Sequence, residues 1–217
     1  DGPAGAGKSS VSKLVAEKLG YSYVDTGAIY RSLALLMIRN GISLEDAPLI
    51  KKELKGFEIA FKMEDGINRV FLSGEDITTE IRTEEVSMLA SSVSAIPFVR
   101  KELFEIQREY SKKGGIVMEG RDIGTVIMPE AELKIFLIAT PEKRAERRLL
   151  DLKAKGVADI TLDKLAEEIK KRDEQDSNRE VAPLKPATDS VILDNSDIDL
   201  IQTADRIVSL AVERRGE

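Results

Sequence analysis

The sequence predicts an α/β domain, a parallel sheet of about five strands with helices on both faces. Three observations predict it. Short apolar runs alternate with amphipathic helical patterns along the 217 residues. Each run ends near Asp, Gly, Thr or Glu, as buried strands do where they leave a sheet. The chain also opens on a glycine-rich loop that leads straight into a helix.

That loop reads DGPAGAGKSS. Gly2, Pro3, Ala4, Gly5, Ala6, Gly7, Lys8 and Ser9 fit the phosphate-binding pattern G-x-x-x-x-G-K-[ST], with Ser10 continuing into the helix. Glycines let successive backbone N–H groups turn around phosphate oxygens. The helix starting near Lys8 adds the positive end of its dipole. Lys8 reaches the terminal phosphates, and the Ser9 hydroxyl is placed for Mg²⁺. A nucleoside triphosphate with Mg²⁺ is the ligand this loop implies. Such a loop follows a strand, so the central strand is expected in residues preceding Asp1.

The remaining elements follow in order. Strands are read at Tyr21–Asp25, Gly115–Glu119, Lys134–Ala139 and Val191–Asp194. Helical periodicity covers roughly 8–19, 27–40, 97–112, 141–155, 161–176 and 198–214. Residues 57–82 break the rhythm. Apolar residues alternate in FEIAF and RVFL, and Asp65-Gly66 and Ser73-Gly74 read as turns. A small antiparallel sheet is expected there, in an inserted subdomain spanning about 54–90 of a single 1–217 domain.

Composition narrows the chemistry. There are 33 Lys+Arg against 39 Asp+Glu, so no basic footprint for a nucleic-acid polymer exists. The chain has no cysteine and no histidine. Thiol catalysis and the usual zinc sites are excluded, and any general base is a carboxylate or water. No signal peptide or membrane-length apolar stretch is seen, so a cytoplasmic protein is expected.

Three classes use such a loop: kinases of small molecules, GTP-driven switches, and nucleotide-dependent binding or motor modules. Neither Asn40-Gly41 nor Asp122-Ile123-Gly124 supplies a switch's N-K-x-D and D-x-x-G, and no strand ends in a motor's Asp-Glu or Asp-Asp. Arginines instead gather where loops leave strands: Arg31, Arg121, then Arg144, Arg147 and Arg148, and farther on Arg172 and Arg179. Ligands of open α/β sheets bind at those strand ends. So many cations there suit a protein that brings two phosphorylated molecules together against their repulsion.

The stretches DGPAGAGKSS, DTGAIYR, SSVSAIPFVR, EGRDIGT, FLIATPEKRAERR and RDEQDSNREVAPL run in order from end to end. Together they resemble the bacterial cytidylate kinases of the nucleoside monophosphate kinase group. The resemblance implies transfer of the γ-phosphoryl of ATP to CMP or dCMP. It places Arg31, Arg121 and Arg179 on the acceptor phosphate, Ser91, Arg100 and Asp122 on cytosine, and Thr26 beside the CMP. Arg172 and Asp176 would orient the ribose, although at four residues' spacing they also suit a helix salt bridge. Arg144 and Arg148 would reach donor phosphates, and LLDLKAKGVADIT would form a short lid near 149–160. The catalytic set is then Lys8, Arg121, Arg144, Arg148 and Arg179. Arg31 could equally face solvent, and Asp25 could serve Mg²⁺ through water or cap the next helix. A monomer is expected. The competing readings are a kinase of UMP or of a non-nucleotide acceptor, and a binding module without an acceptor.

Overall fold

The computed structural model describes residues 1–64, 66–154 and 160–216. They form an α/β fold with eight α-helices and seven strands among the described residues. The chain groups into two compact units, Asp1–Ser22 with Glu119–Glu217, and Tyr23–Met118.

In the first unit the phosphate loop enters helix α1 (Lys8–Leu19), which stops at Gly20 in the left-handed region. Strand β6 (Ile135–Ile138) pairs in parallel with β7 (Val191–Asp194), Ile135 opposite Val191. The main chain of Asp1 joins β6, its carbonyl accepting from Leu137 N–H at 2.8 Å. Helices α6 (Pro141–Ala154) and α7 (Leu162–Asn178) pack together over Ala145, Leu165 and Ile169. Helix α8 (Leu200–Arg215) packs on α1 and begins in a capping box, Asp199 and Gln202 satisfying each other's backbone. The expected lid at 149–160 includes 155–159, which lie outside the described residues; 149–154 are the last turns of α6.

In the second unit β1 (Ser22–Asp25) pairs with β5 (Ile116–Glu119). Helix α2 (Thr26–Arg39) is buried on most of its circumference, from Ala28 and Ile29 to Leu33 and Met37. The expected antiparallel sheet is present as β2 (Ile59–Glu64), β3 (Ile67–Leu72) and β4 (Glu75–Asp76). Ser73 and Gly74 both have positive φ, 48° and 85°, as a two-residue type I′ hairpin turn requires. Asp65 of the other expected turn lies outside the described residues.

Two helices fall outside the periodicities read from sequence. Helix α3 (Ala47–Lys55) is capped by Asp46 and carries Pro48 in its first turn. Helix α4 (Glu84–Val93) starts at Thr83, whose hydroxyl accepts from Val86 N–H at 3.3 Å. Its buried residues Val86, Ala90 and Val93 recur at helical spacing, but three serines dilute the pattern. Helix α5 (Pro97–Ser111) completes the layer, and α2 to α5 share one core with β3.

Candidate active site

The phosphate loop is shaped by contacts that glycine alone permits. Gly2 has φ 149°, and a Cβ there would lie 2.1 Å from the carbonyl oxygen of Leu137 on β6. Gly7, at φ 84°, turns the chain into α1. Lys8 is 8% exposed and its Nζ donates to the Pro3 carbonyl at 2.6 Å. Burial pulls the Lys8 pKa well below its ordinary value, Arg121 and Arg172 add to that, and Glu119 and Asp176 oppose it. Ser9, in the first turn of α1, is exposed.

Two arginines of α6 hold this loop from the side. Arg144 is buried; its Nε donates to Ala139 O at 3.1 Å and its Nη1 to Ala4 O at 2.9 Å. The same Nη1 pairs with Asp173 of α7. Arg147 makes two bonds to Asn195, 2.9 Å to Oδ1 and 2.6 Å to the carbonyl, and Asn195 Nδ2 donates to Ala6 O at 3.0 Å. Arg148 is exposed.

The segment after β5 carries two adjacent charges, Arg121 and Asp122, just beyond the strand, and both reach the end of α7. Arg121 Nε donates to Asp176 at 2.8 Å. Asp122 Oδ1 accepts from Arg179 Nη2 at 3.1 Å. Arg179 Nη1 stands 4.0 Å from Asp176, and its Nε donates to Ala182 O at 2.6 Å. Signs therefore alternate around Arg121, Asp176, Arg179 and Asp122, all largely buried. The Asp1 carboxylate holds the following π-helical turn (Ile123–Ile127), accepting from Ile123 N–H at 2.9 Å and Gly124 N–H at 2.8 Å.

The second unit carries the other expected residues. Asp25 caps α2 through Ala28 N–H at 3.1 Å and pairs with Arg31 Nη2 at 2.6 Å. Thr26 is buried. Arg100 is buried, donates to Ser94 O at 3.0 Å and lies 5.5 Å over the Tyr30 ring. Ser91 Oγ and Arg31 Nε are buried atoms with no hydrogen-bond partner among the described residues. Native proteins seldom leave such atoms unsatisfied, so each is an opening for a ligand or water.

Sequence reasoning passed over Asp1, Asp173 and Asn195. Asn195 follows the last strand, where a polar residue at a carboxyl end is a ligand-side signal. Asp1 and Asp173 flank motif residues and carried no signal of their own.

Among the described residues no group of three acidic side chains could hold a metal, and no helix is long and apolar enough to cross a membrane.

A family model described as Cytidylate kinase matches residues 1–213. The cytidylate kinase of Caldicellulosiruptor bescii is 49% identical over 97% of this chain and 92% of its own length. That of Streptococcus mutans is 48% identical over 92% and 88%. That of Citrifermentans bemidjiense is 46% identical over 100% and 93%.

Proposed function

Because the chain belongs to the cytidylate kinase family, we propose that residues 2–10 hold ATP and that the charged cluster after β5 holds the acceptor. The chain is an enzyme that transfers the γ-phosphoryl of ATP to CMP, giving ADP and CDP. In this reading dCMP is accepted too, and the enzyme works as a cytoplasmic monomer with Mg²⁺.

One observation carries the assignment of the site. The phosphate loop carries the buried Lys8, and Arg121 on the acceptor side is held by Asp176 at 2.8 Å on α7, the same helix whose Asp173 takes Ala4 N–H of the loop at 2.9 Å. Cations meant for two different phosphates are thus brought to one helix, and like charges held there repel in the ligand-free protein. Two bound polyanions relieve that repulsion, and their own mutual repulsion is offset by the same cations.

The acceptor phosphate is already an anionic nucleophile, so the step needs no general base, in keeping with a chain that lacks histidine. Catalysis is alignment and charge neutralisation. Lys8 and the exposed Arg148 take the donor phosphates. Arg144, which the resemblance places on the donor phosphates, is buried and bonded to Ala139, Ala4 and Asp173, so in this reading it serves them by holding the loop through Ala4. Arg121 and Arg179 take the acceptor phosphate. Arg172 and Asp176 orient the ribose. Asp122 accepts from the cytosine amino group. For the second unit the family resemblance implies roles residue by residue: Arg31 for the acceptor phosphate, and Arg100 and Ser91 for cytosine; Arg31 Nε and Ser91 Oγ are buried with no hydrogen-bond partner among the described residues. The exposed Ser9 hydroxyl suits Mg²⁺, a hard ion that arrives with the triphosphate and keeps waters rather than requiring a carboxylate cage. When bound, the ion neutralises charge between the donor phosphates. Residues 54–90 serve as the monophosphate-binding insertion.

Steady-state kcat/KM with CMP, dCMP, UMP and AMP tests the reading. CMP and dCMP should lead. A wide margin for UMP or AMP would overturn the cytosine assignment.

A further inference from the structure

Both main-chain polar groups of Ala4, inside the phosphate loop, are taken by one ion pair. Ala4 N–H donates to Asp173 Oδ1 at 2.9 Å, and Ala4 O accepts from Arg144 Nη1 at 2.9 Å. Asp173 and Arg144 pair with each other, their side chains 18% and 9% exposed. Arg144 is tied in turn to the end of β6 at Ala139. The Ala4 amide is thereby committed to a carboxylate, not to a phosphate. A lone carboxylate against a phosphate-binding loop would repel the ligand; Arg144 cancels that charge at the point of contact.

The placement of Asp173 extends its reach. One turn farther along α7, Asp176 accepts from Arg121, and Arg179 beyond the helix reaches Asp122. A single helix therefore grips the donor loop at Ala4 and the acceptor segment at Arg121. Phosphoryl transfer depends on the separation of those two segments, because the attacking and leaving oxygens must lie in line.

We propose that Asp173 is a positioning residue for phosphoryl transfer: it fixes the phosphate loop to the helix that also holds the acceptor segment, without touching either substrate. The proposal rests on the reading of residues 2–10 as the ATP site.

The test is Asp173→Asn, which retains an oxygen for Ala4 N–H and removes the charge opposite Arg144. Displaced donor phosphates raise KM for ATP and lower kcat, together a loss of roughly tenfold to a hundredfold in kcat/KM for ATP. KM for CMP stays within about twofold, since Asp122, Arg121 and Asp176 are untouched. Asp173→Glu keeps the charge but displaces the carboxylate by one methylene; it gives the same split with a melting temperature near the parent's. This second variant decides the matter should the first fail to fold. Parent-like ATP kinetics, or KM values for ATP and CMP that rise together, overturn the proposal. Lys8→Ala is run alongside. If Lys8→Ala keeps its turnover, the ATP-site reading itself falls. If it is inactive while both Asp173 variants match the parent, only the role of Asp173 falls.

Discussion

Asp122→Asn should turn a reader of cytosine toward uracil. Asp122 is 6% exposed, and its Oδ1 accepts from Arg179 Nη2 at 3.1 Å. Asparagine has the same shape and keeps an oxygen for that bond, so the segment holds its geometry while one acceptor becomes an amide donor. Cytosine presents an amino donor at N4; uracil presents an acceptor there. The variant therefore sets donor against donor for CMP and pairs donor with acceptor for UMP. A mismatch of this kind costs about 1–3 kcal/mol, so kcat/KM for CMP should fall roughly 5- to 150-fold. UMP should improve, moving the CMP:UMP ratio by at least about tenfold. Stability should suffer little. Arg179 keeps the Ala182 carbonyl at 2.6 Å and has Asp176 at 4.0 Å. Replacing a charged acceptor with a neutral one costs about 1 kcal/mol, a drop of about 2–4 °C in Tm for a chain of this size. Parallel steady-state assays with CMP and UMP, beside a thermal melt, measure both effects. A CMP:UMP ratio unchanged in a variant that melts like the parent would refute the base-reading role.

Three further outcomes are expected. Lys8→Met should lower turnover by orders of magnitude yet leave the ligand-free Tm near neutral pH unchanged or higher, because it removes a buried, repelled cation; near-normal turnover would remove the lysine from the mechanism. The folded-state pKa of Lys8 lies below its unfolded value, so between the two the unfolded chain binds the extra proton and ligand-free stability rises with pH. Urea melts at pH values stepped down from the ordinary lysine pKa should show this rise with pH in the parent and a shallower one in Lys8→Met; equal slopes would mean that Lys8 is not the titrating group. Gly2→Ala should abolish folding of the loop, since its Cβ would meet Leu137 O at 2.1 Å, whereas Gly124→Ala meets the flexible Lys134 side chain at 3.2 Å and should cost far less. Equal effects on yield and Tm would contradict the close approach at Gly2.

The strands and most helices were legible because their signals are local. Val191–Asp194 is a strand as read, and α1 spans 8–19 as read. The turn at Ser73-Gly74 needs positive φ at both positions, and the sequence pattern announces it. Helices α3 and α4 were less legible. Helix α3 is short, and only its cap and the buried Ile50 and Leu54 announce it. In α4 the serines, poor helix formers, interrupt the apolar stripe, and burial against α2 overrides that weak propensity. At the site, the glycine-built turn into α1 was legible, but the anchors Asp1, Asp173 and Asn195 were not. They act through backbone groups far along the chain, and only Asn195, at a strand's carboxyl end, carries any local mark.

The sequence by itself determined the phosphate loop, the order of elements and the list of charges at strand ends. Those rest on φ preferences, on periodicity and on side-chain chemistry, all properties of neighbouring residues. Only the tertiary structure decided which charge meets which. Arg121 pairs with Asp176, 55 residues away, and Asp122 with Arg179, 57 away. Arg144 goes to Ala4 and Asp173. An ion pair depends on distance in space and on burial, and neither exists until α7 has packed beside the loop.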